Sequence, residues 1–169
     1  MPKVYVGVAS NMHRELSIRA GTRLLMQRFG PLAVSPVYES SACGVTAPAF
    51  YNFVVSFSTE LEPRELKLAL RSIEAECGRV RGPLVGTSRT LDLDLLLYGD
   101  RTVDVAINLP HDEIEKYPFV LRPLADLSGS SLHPQTGLSF NEMWSRFDRS
   151  EHPIWRVPFD PEDTNGVSG

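Results

Sequence analysis

Ser88-Arg89-Thr90-Leu91-Asp92-Leu93-Asp94-Leu95-Leu96-Leu97-Tyr98 is the stretch from which the rest of the chain can be read. From Thr90 to Leu95 leucine alternates with a polar residue, the two-residue period of a strand with one apolar face. Leu91, Leu93, Leu95 and Leu97 are expected to pack in the core. Asp92 and Asp94 then share the opposite face, about 6.6–7 Å apart along the strand. Two carboxylates so placed repel each other and are costly to bury without partners. Either this face is an ordinary solvated one, or a divalent cation resolves the conflict. Hard oxygen donors select magnesium or calcium over zinc.

Upstream, Val4 to Val8 reads as a central strand. Ser10-Asn11 offers N-cap chemistry for a helix to about Phe29, with Leu16, Arg19/Ala20, Leu24 and Met26/Gln27 marking its turns. Gly21 weakens that helix by about 1 kcal/mol relative to alanine, and Gly30-Pro31 ends it. Leu32 to Tyr38 is a second strand, interrupted by Pro36 and so placed at an edge or bulge. Ser40 to Pro48 is a loop of small residues, and Phe50 to Thr59 a third strand. Pro63 opens a second helix, with Leu66, Leu70, Ile73 and Cys77 as its buried stripe and Gly78 as its stop. The order β-α-β-β-α-β from Val4 to Tyr98 is the ferredoxin-like arrangement, with helices on one face of an antiparallel sheet.

Downstream of the quoted stretch, Gly99-Asp100 is a turn and Thr102 to Val105 a short strand. Phe119 to Leu127 and Phe140 to Phe147 are short helices. These elements are expected on the other face of the sheet, which gives an α+β fold with α/β/α layers. From Arg149 the chain becomes polar, with Pro153, Pro158 and Pro161 and neither a helical nor a strand period. Ile154, Trp155, Val157 and Phe159 are available to dock part of that tail, and the last eight residues are not expected to order. Residues 1–148 therefore read as a single domain and 149–169 as a C-terminal tail.

The chain has 169 residues, 17 basic and 21 acidic, for a formal charge of −4. That balance removes the electrostatic case for duplex nucleic acid. Cys43 and Cys77 suit a reducing compartment and have no metal-ligand spacing. The N-terminal apolar run is too short for a signal peptide, and no stretch approaches the roughly 20 apolar residues that span a bilayer. A cytoplasmic, monomeric protein without nucleic-acid or membrane partners is expected.

Several side chains admit two readings each. Arg79, Arg81 and Arg89 flank Gly82–Ser88, which reads as a mobile, glycine-containing loop. They are either surface charge or a cradle for a polyphosphate. His111 is either a structural hydrogen-bonder or a donor to phosphate. Phe50 and Phe119 are core residues by default. Asn52 is harder to assign to packing, because a buried amide needs partners and a ligand can supply them.

Arg89-Thr90-Leu91-Asp92-Leu93-Asp94, with Gly78-Arg79-Val80-Arg81 upstream and Leu109-Pro110-His111 downstream, resembles the 6-hydroxymethyl-7,8-dihydropterin pyrophosphokinases of folate biosynthesis. Ala9-Ser10-Asn11, Tyr51-Asn52 and Phe119 before Leu121-Arg122-Pro123-Leu124 extend the resemblance over roughly Val4 to Leu127. It implies transfer of pyrophosphate from ATP to the pterin hydroxymethyl group with two Mg2+ ions. Asp92 and Asp94 match the metal ligands and, with Arg81 and Arg89, the catalytic set. Glu74, Arg79, Arg81, Arg89, Leu95 and His111 match positions that face ATP. Ser40, Cys43, Gly44, Asn52 and the aromatic pair Phe50 and Phe119 match positions that hold the pterin.

Some positions depart from the family pattern. Ala9 replaces a glycine, Gly86 stands in the place of a loop tryptophan, and Ala106 and Tyr117 stand where arginines are common. Arg122 is a candidate substitute for them. A diverged pterin- or nucleotide-binding relative with little transfer activity is the alternative these losses favour. A single-strand RNA binder of the same fold needs exposed aromatics on a basic sheet, and here aspartates occupy that place.

Overall fold

Lys3–Ser10 forms the central strand, β1, of an antiparallel sheet in this computed structural model, which describes residues 1–41, 48–78, 90–100 and 107–163. The 16-residue helix α1 (Arg14–Phe29) follows, then the short strands β2 (Ala33–Val34) and β3 (Val37–Ser40). Next come β4 (Phe50–Ser58), α2 (Pro63–Glu76) and β5 (Asp92–Tyr98). With β6 at Ile154–Val157, the strands are ordered β5-β1-β4-β3-β6, and β2 also pairs with β4. This is the ferredoxin-like order, extended by β6 beyond β3. The expected second strand is split at Ser35-Pro36. Ser35 Oγ accepts a hydrogen bond from the Val54 amide at 2.8 Å, replacing the ladder bond lost at the break.

Two cores sandwich the sheet. On one face Val4, Val6, Val8, Phe53, Val55, Leu91, Leu93 and Leu95 pack against Ile18 and Leu25 of α1 and Leu66, Leu70 and Ile73 of α2. On the other, Tyr5, Val54, Leu96 and Leu97 pack against α3 (Glu113–Lys116), α4 (Pro118–Ser128) and α5 (Phe140–Ser145). The C-terminal helices thus lie on the second face, as the α/β/α reading requires. No helix among the described residues is long and apolar enough to cross a membrane.

The alternation in β5 does not run to its end. Tyr5 pairs with Leu97 and Val6 with Leu95, so Leu96 is an extra residue in the ladder. Such a bulge shifts the phase of the side chains, and Leu97 joins the second core instead of the expected first. The start of α1 also differs. His13, with a left-handed φ of 46°, occupies the N-cap without a side-chain cap. Ser10 and Asn11 instead donate to carbonyls outside the helix, Thr90 O for Ser10 and Pro48 O for Asn11.

The buried face of α1 is Ser17, Ile18, Gly21, Thr22 and Leu25, while Leu16 and Met26 point to solvent. The expected stripe was rotated by about half a turn because small and polar residues form the contact. A Cβ on Gly21 would approach Leu91 Cδ2 to 2.6 Å, so glycine sets how closely α1 sits over the sheet. In α2 the stripe is as expected, apart from Cys77, which lies at the C-cap and is half-buried.

Beyond Arg149, where no periodic element is expected from sequence, Ile154–Val157 forms β6 against β3. Four residues are too few to give a strand period above background. The positions 79–89, the 102–105 strand and residues 164–169 lie outside the described residues.

Candidate active site

The floor of the site follows from register. Across β5, β1 and β4 the pairings Asp92–Ala9–Asn52 and Asp94–Gly7–Val54 form two successive rows. Side chains paired across a sheet point to one face, here the face of α3 and α4. The two central positions are the smallest available, Gly7 and Ala9. A small, open cleft lies above them, walled also by Leu96, Glu113, Phe119 and Val120. Ala9 forms part of this floor.

Asp92 and Asp94 are partly buried side by side. Burial, then the Asp92 and Glu113 charges, push the Asp94 carboxyl up to about 8. A hydrogen bond with Asp92 and the charge of Glu74 act in the same direction. Burial and the Asp92 charge likewise raise Glu113. Oxygen atoms of Asp94 and Glu113 and a ring nitrogen of His111 all lie within 4.8 Å of one another. His111 Nδ1 accepts the Glu113 amide at 3.2 Å, and burial lowers the imidazole pKa. That shift favours the neutral ring, whose Nδ1 lies 3.6 Å from Asp112 Oδ1. Crowded carboxylates that raise one another's pKa are a donor set suited to a hard divalent cation such as Mg2+, whose charge would reverse the shift.

At the other end of the cleft Asn52 is 5% exposed. Its Nδ2 donates to Ser40 Oγ at 2.9 Å and to Tyr38 O at 3.1 Å, which fixes the plane of the amide. Ser40 is thereby placed behind Asn52. Phe119 lines the cleft, while Phe50, half-buried at the start of β4, is absent from its described walls. Tyr117 stacks on Phe119 with ring centroids 4.9 Å apart and planes 13° apart. His152 meets both rings edge-on, at 5.3 and 6.2 Å.

Other expected contacts lie elsewhere. Glu74 is 2% exposed, and its Oε2 accepts the Leu93 amide at 2.8 Å, so it anchors β5 to α2 from beneath. Leu95 is buried in the first core, which leaves only its backbone to meet a ligand. Arg122, the candidate substitute for the missing arginines, is engaged by other partners. Its Nε bonds Asp126 at 3.2 Å and Tyr38 Oη at 3.1 Å, and its guanidinium lies over Trp144. Cys43, Gly44, Arg79, Arg81, Gly86, Arg89, Ala106 and the Gly82–Ser88 loop are outside the described residues.

Glu113 is the site residue that sequence reasoning missed. It lies in a four-residue helix, too short for any period, and Asp112-Glu113 after His111 reads as an ordinary acidic helix entry. Tyr117 was legible only as a missing arginine, and His152 carried no signal at all.

A cluster of partly buried carboxylates at one end of a cleft, with an amide and an aromatic ring at the other, is a geometry suited to a divalent cation beside a flat ligand with a polar edge. Comparison with known proteins narrows that reading. Residues 5–129 match the model of the 7,8-dihydro-6-hydroxymethylpterin-pyrophosphokinase family. The chain belongs to this family.

A 2-amino-4-hydroxy-6-hydroxymethyldihydropteridine pyrophosphokinase of Pseudomonas aeruginosa is 41% identical over 133 residues, covering 75% of this chain and 80% of that protein. One from Aquifex aeolicus is 34% identical, covering 79% and 85%. The folic acid synthesis protein fol1 of Pneumocystis carinii is 33% identical over 92% of this chain, which spans only 21% of that protein. Among solved structures, the Plasmodium falciparum HPPK-DHPS crystallised with pteroate superposes with a TM-score of 0.66 at 12% identity. It covers 86% of this chain and 42% of the other. That likeness concerns the fold.

Proposed function

We propose that this chain transfers the terminal pyrophosphate of ATP to the hydroxymethyl oxygen of 6-hydroxymethyl-7,8-dihydropterin, releasing AMP, as a step of folate synthesis. The observation that carries this reading is one cleft that joins Asp92, Asp94 and Glu113 to Asn52 and Phe119. The names of the relatives support it, and the two ends of the cleft suit the two halves of the reaction.

Asp92 and Asp94 would hold Mg2+, two ions by resemblance, with Glu113 and His111 beside them. When bound, the metal neutralises phosphate oxygens and orients them for displacement. Asn52, its amide held by Ser40 Oγ and Tyr38 O, presents a fixed edge to the pterin, and Phe119 offers it a ring face. The pterin oxygen attacks the β-phosphorus as the bond to the bridging oxygen of AMP breaks. The apolar wall of Leu96 and Val120 limits access of water, the competing acceptor. Arg79, Arg81 and Arg89 are assigned to the triphosphate by resemblance. Phe50 is assigned to the pterin on the same basis and requires a movement toward the cleft. A cytoplasmic, monomeric enzyme is the reading carried over from the sequence.

The test is release of AMP from ATP in the presence of Mg2+, with and without hydroxymethyldihydropterin. Pterin-dependent AMP release is expected. ATP binding without release would favour the diverged, non-transferring relative that the lost arginines suggest.

A further inference from the structure

We infer that the C-terminal segment Arg149–Phe159 is a strap that positions the aromatic wall of the site, acting through His152 and Tyr117 on Phe119. The inference rests on the reading of Phe119 as a wall of the pterin site and adds to it two positioning residues and the segment that holds them.

Four contacts fix the strap. Arg149 lies over the Trp144 ring of α5, 4.3 Å from its centroid. His152 meets Tyr117 and Phe119 edge-on with interplanar angles of 81° and 90°. Ile154–Val157 pairs with β3 in a register that puts Ile154 opposite Ser40, the residue behind Asn52. Phe159 packs against Tyr51, 5.4 Å between centroids, and receives the Arg19 guanidinium at 4.7 Å. The segment thus leaves α5, crosses the ends of α3 and α4 at the cleft, and is secured on the sheet edge.

The consequence for Phe119 follows from its neighbours. Phe119 is the second residue of α4, where a helix end holds its side chain loosely. It is half-buried, and Tyr117 covers one of its faces. A perpendicular ring against the edges of a stacked pair is the favoured aromatic geometry. His152 therefore restrains both rings at once and holds Phe119 in the orientation that borders the cleft. Tyr117, at a position where the family commonly has a phosphate-facing arginine, is used here to support the opposite end of the site. Ordering the wall before binding removes a cost that the pterin would otherwise meet.

Steady-state AMP release on the full chain tests this, with each substrate varied at saturating levels of the other and Mg2+. His152→Ala and Tyr117→Ala should each raise the pterin KM roughly 3- to 10-fold, the scale of a lost aromatic contact. The ATP KM and kcat should stay within about twofold. His152→Phe and Tyr117→Phe, which keep the rings, should restore the pterin KM, and all four variants should melt cooperatively. A pterin KM unchanged in both alanine variants overturns the strap, as does a parallel rise in the constants for both substrates. Phe119→Ala separates the two levels of the argument. A raised pterin KM in Phe119→Ala with no effect in the other two variants overturns the strap alone, whereas an unchanged KM in Phe119→Ala overturns the reading of the site as well.

Discussion

Asp94 binds a proton in the folded, metal-free protein because burial and its acidic neighbours raise it from 3.8 to about 8. The unfolded chain releases that proton at its ordinary carboxylate pKa. Between about pH 4 and about pH 8 the native state therefore holds more protons, and stability falls as pH rises through that window. Asp94→Asn should raise the stability of the metal-free protein at pH 8 by about 1–3 kcal/mol, the scale of an unsatisfied buried group. Asp92→Asn should act in the same direction, because it removes the repelling neighbour. Thermal melts at pH 5 and pH 8 measure this. Both substitutions should lower turnover by roughly 10²-fold or more, the scale of a lost charge-stabilising group. Mg2+ must displace the Asp94 proton, so its affinity should increase with pH up to about 8, and a titration by calorimetry would show it. At the pterin end, Asn52→Ala should weaken pterin binding by about 1–3 kcal/mol and leave ATP affinity nearly unchanged. Equal losses for both ligands would point instead to disturbance of β3 and β4, which Asn52 also joins.

At the scale of elements, Gly21 shows how a residue that lowers helix propensity can be the stabilising choice. Gly21→Ala gains about 1 kcal/mol of propensity and introduces a 2.6 Å contact with Leu91 Cδ2. Overpacking costs about 1–3 kcal/mol, so a net loss is expected in urea denaturation, with partial recovery in the double variant carrying Leu91→Val. The same contact explains why the buried face of α1 was not legible. A helix that packs through Ser17, Gly21 and Thr22 leaves its leucine and methionine on the wrong side for a pattern based on hydrophobicity. The β-α-β-β-α-β order was legible because α2 and the paired strands carry strong periods, and because Pro36, Pro63 and Gly78 mark real boundaries. In the site, Asp92, Asp94 and Asn52 could be singled out from sequence because each sits in a patterned strand, whereas Phe119 reads as core until the resemblance assigns it to the pterin. Glu113 and His152 could not be singled out, since one lies in a single helical turn and the other in an aperiodic segment. Their roles depend on which chain elements meet across the cleft, and local sequence holds no record of that.

For the whole molecule, the two cores divide the work. The first, between the sheet and α1 and α2, holds most of the large buried side chains. The second carries the cleft and is closed by short helices and by the segment after α5. Phe159→Ala would remove one end of that segment's attachment, losing its contacts with Tyr51 and Arg19. A half-buried phenyl group contributes about 1–2 kcal/mol. The expected result is a modest fall in melting temperature together with faster hydrogen exchange at the β6 amides, while β1 and β4 exchange as before.

The bulge at Leu96 gives β5 an unequal tolerance to changes in length. Side chains on a strand behave like a two-beat rhythm, and the extra residue is a rest inserted after the fourth beat. Deleting Leu96 would close the ladder between Leu95 and Leu97 and leave every residue before it in phase, with Leu97 still directed to the second core and Tyr98 to the first. Deleting Leu93 would turn Asp92, on its N-terminal side, into the hydrophobic layer beneath α1, or else force Asp94 there. In a gene undergoing insertion and deletion, the acidic half of this strand would be held rigidly to length, whereas losing one codon from its leucine-rich half would keep the phase and cost only the buried Leu96 side chain.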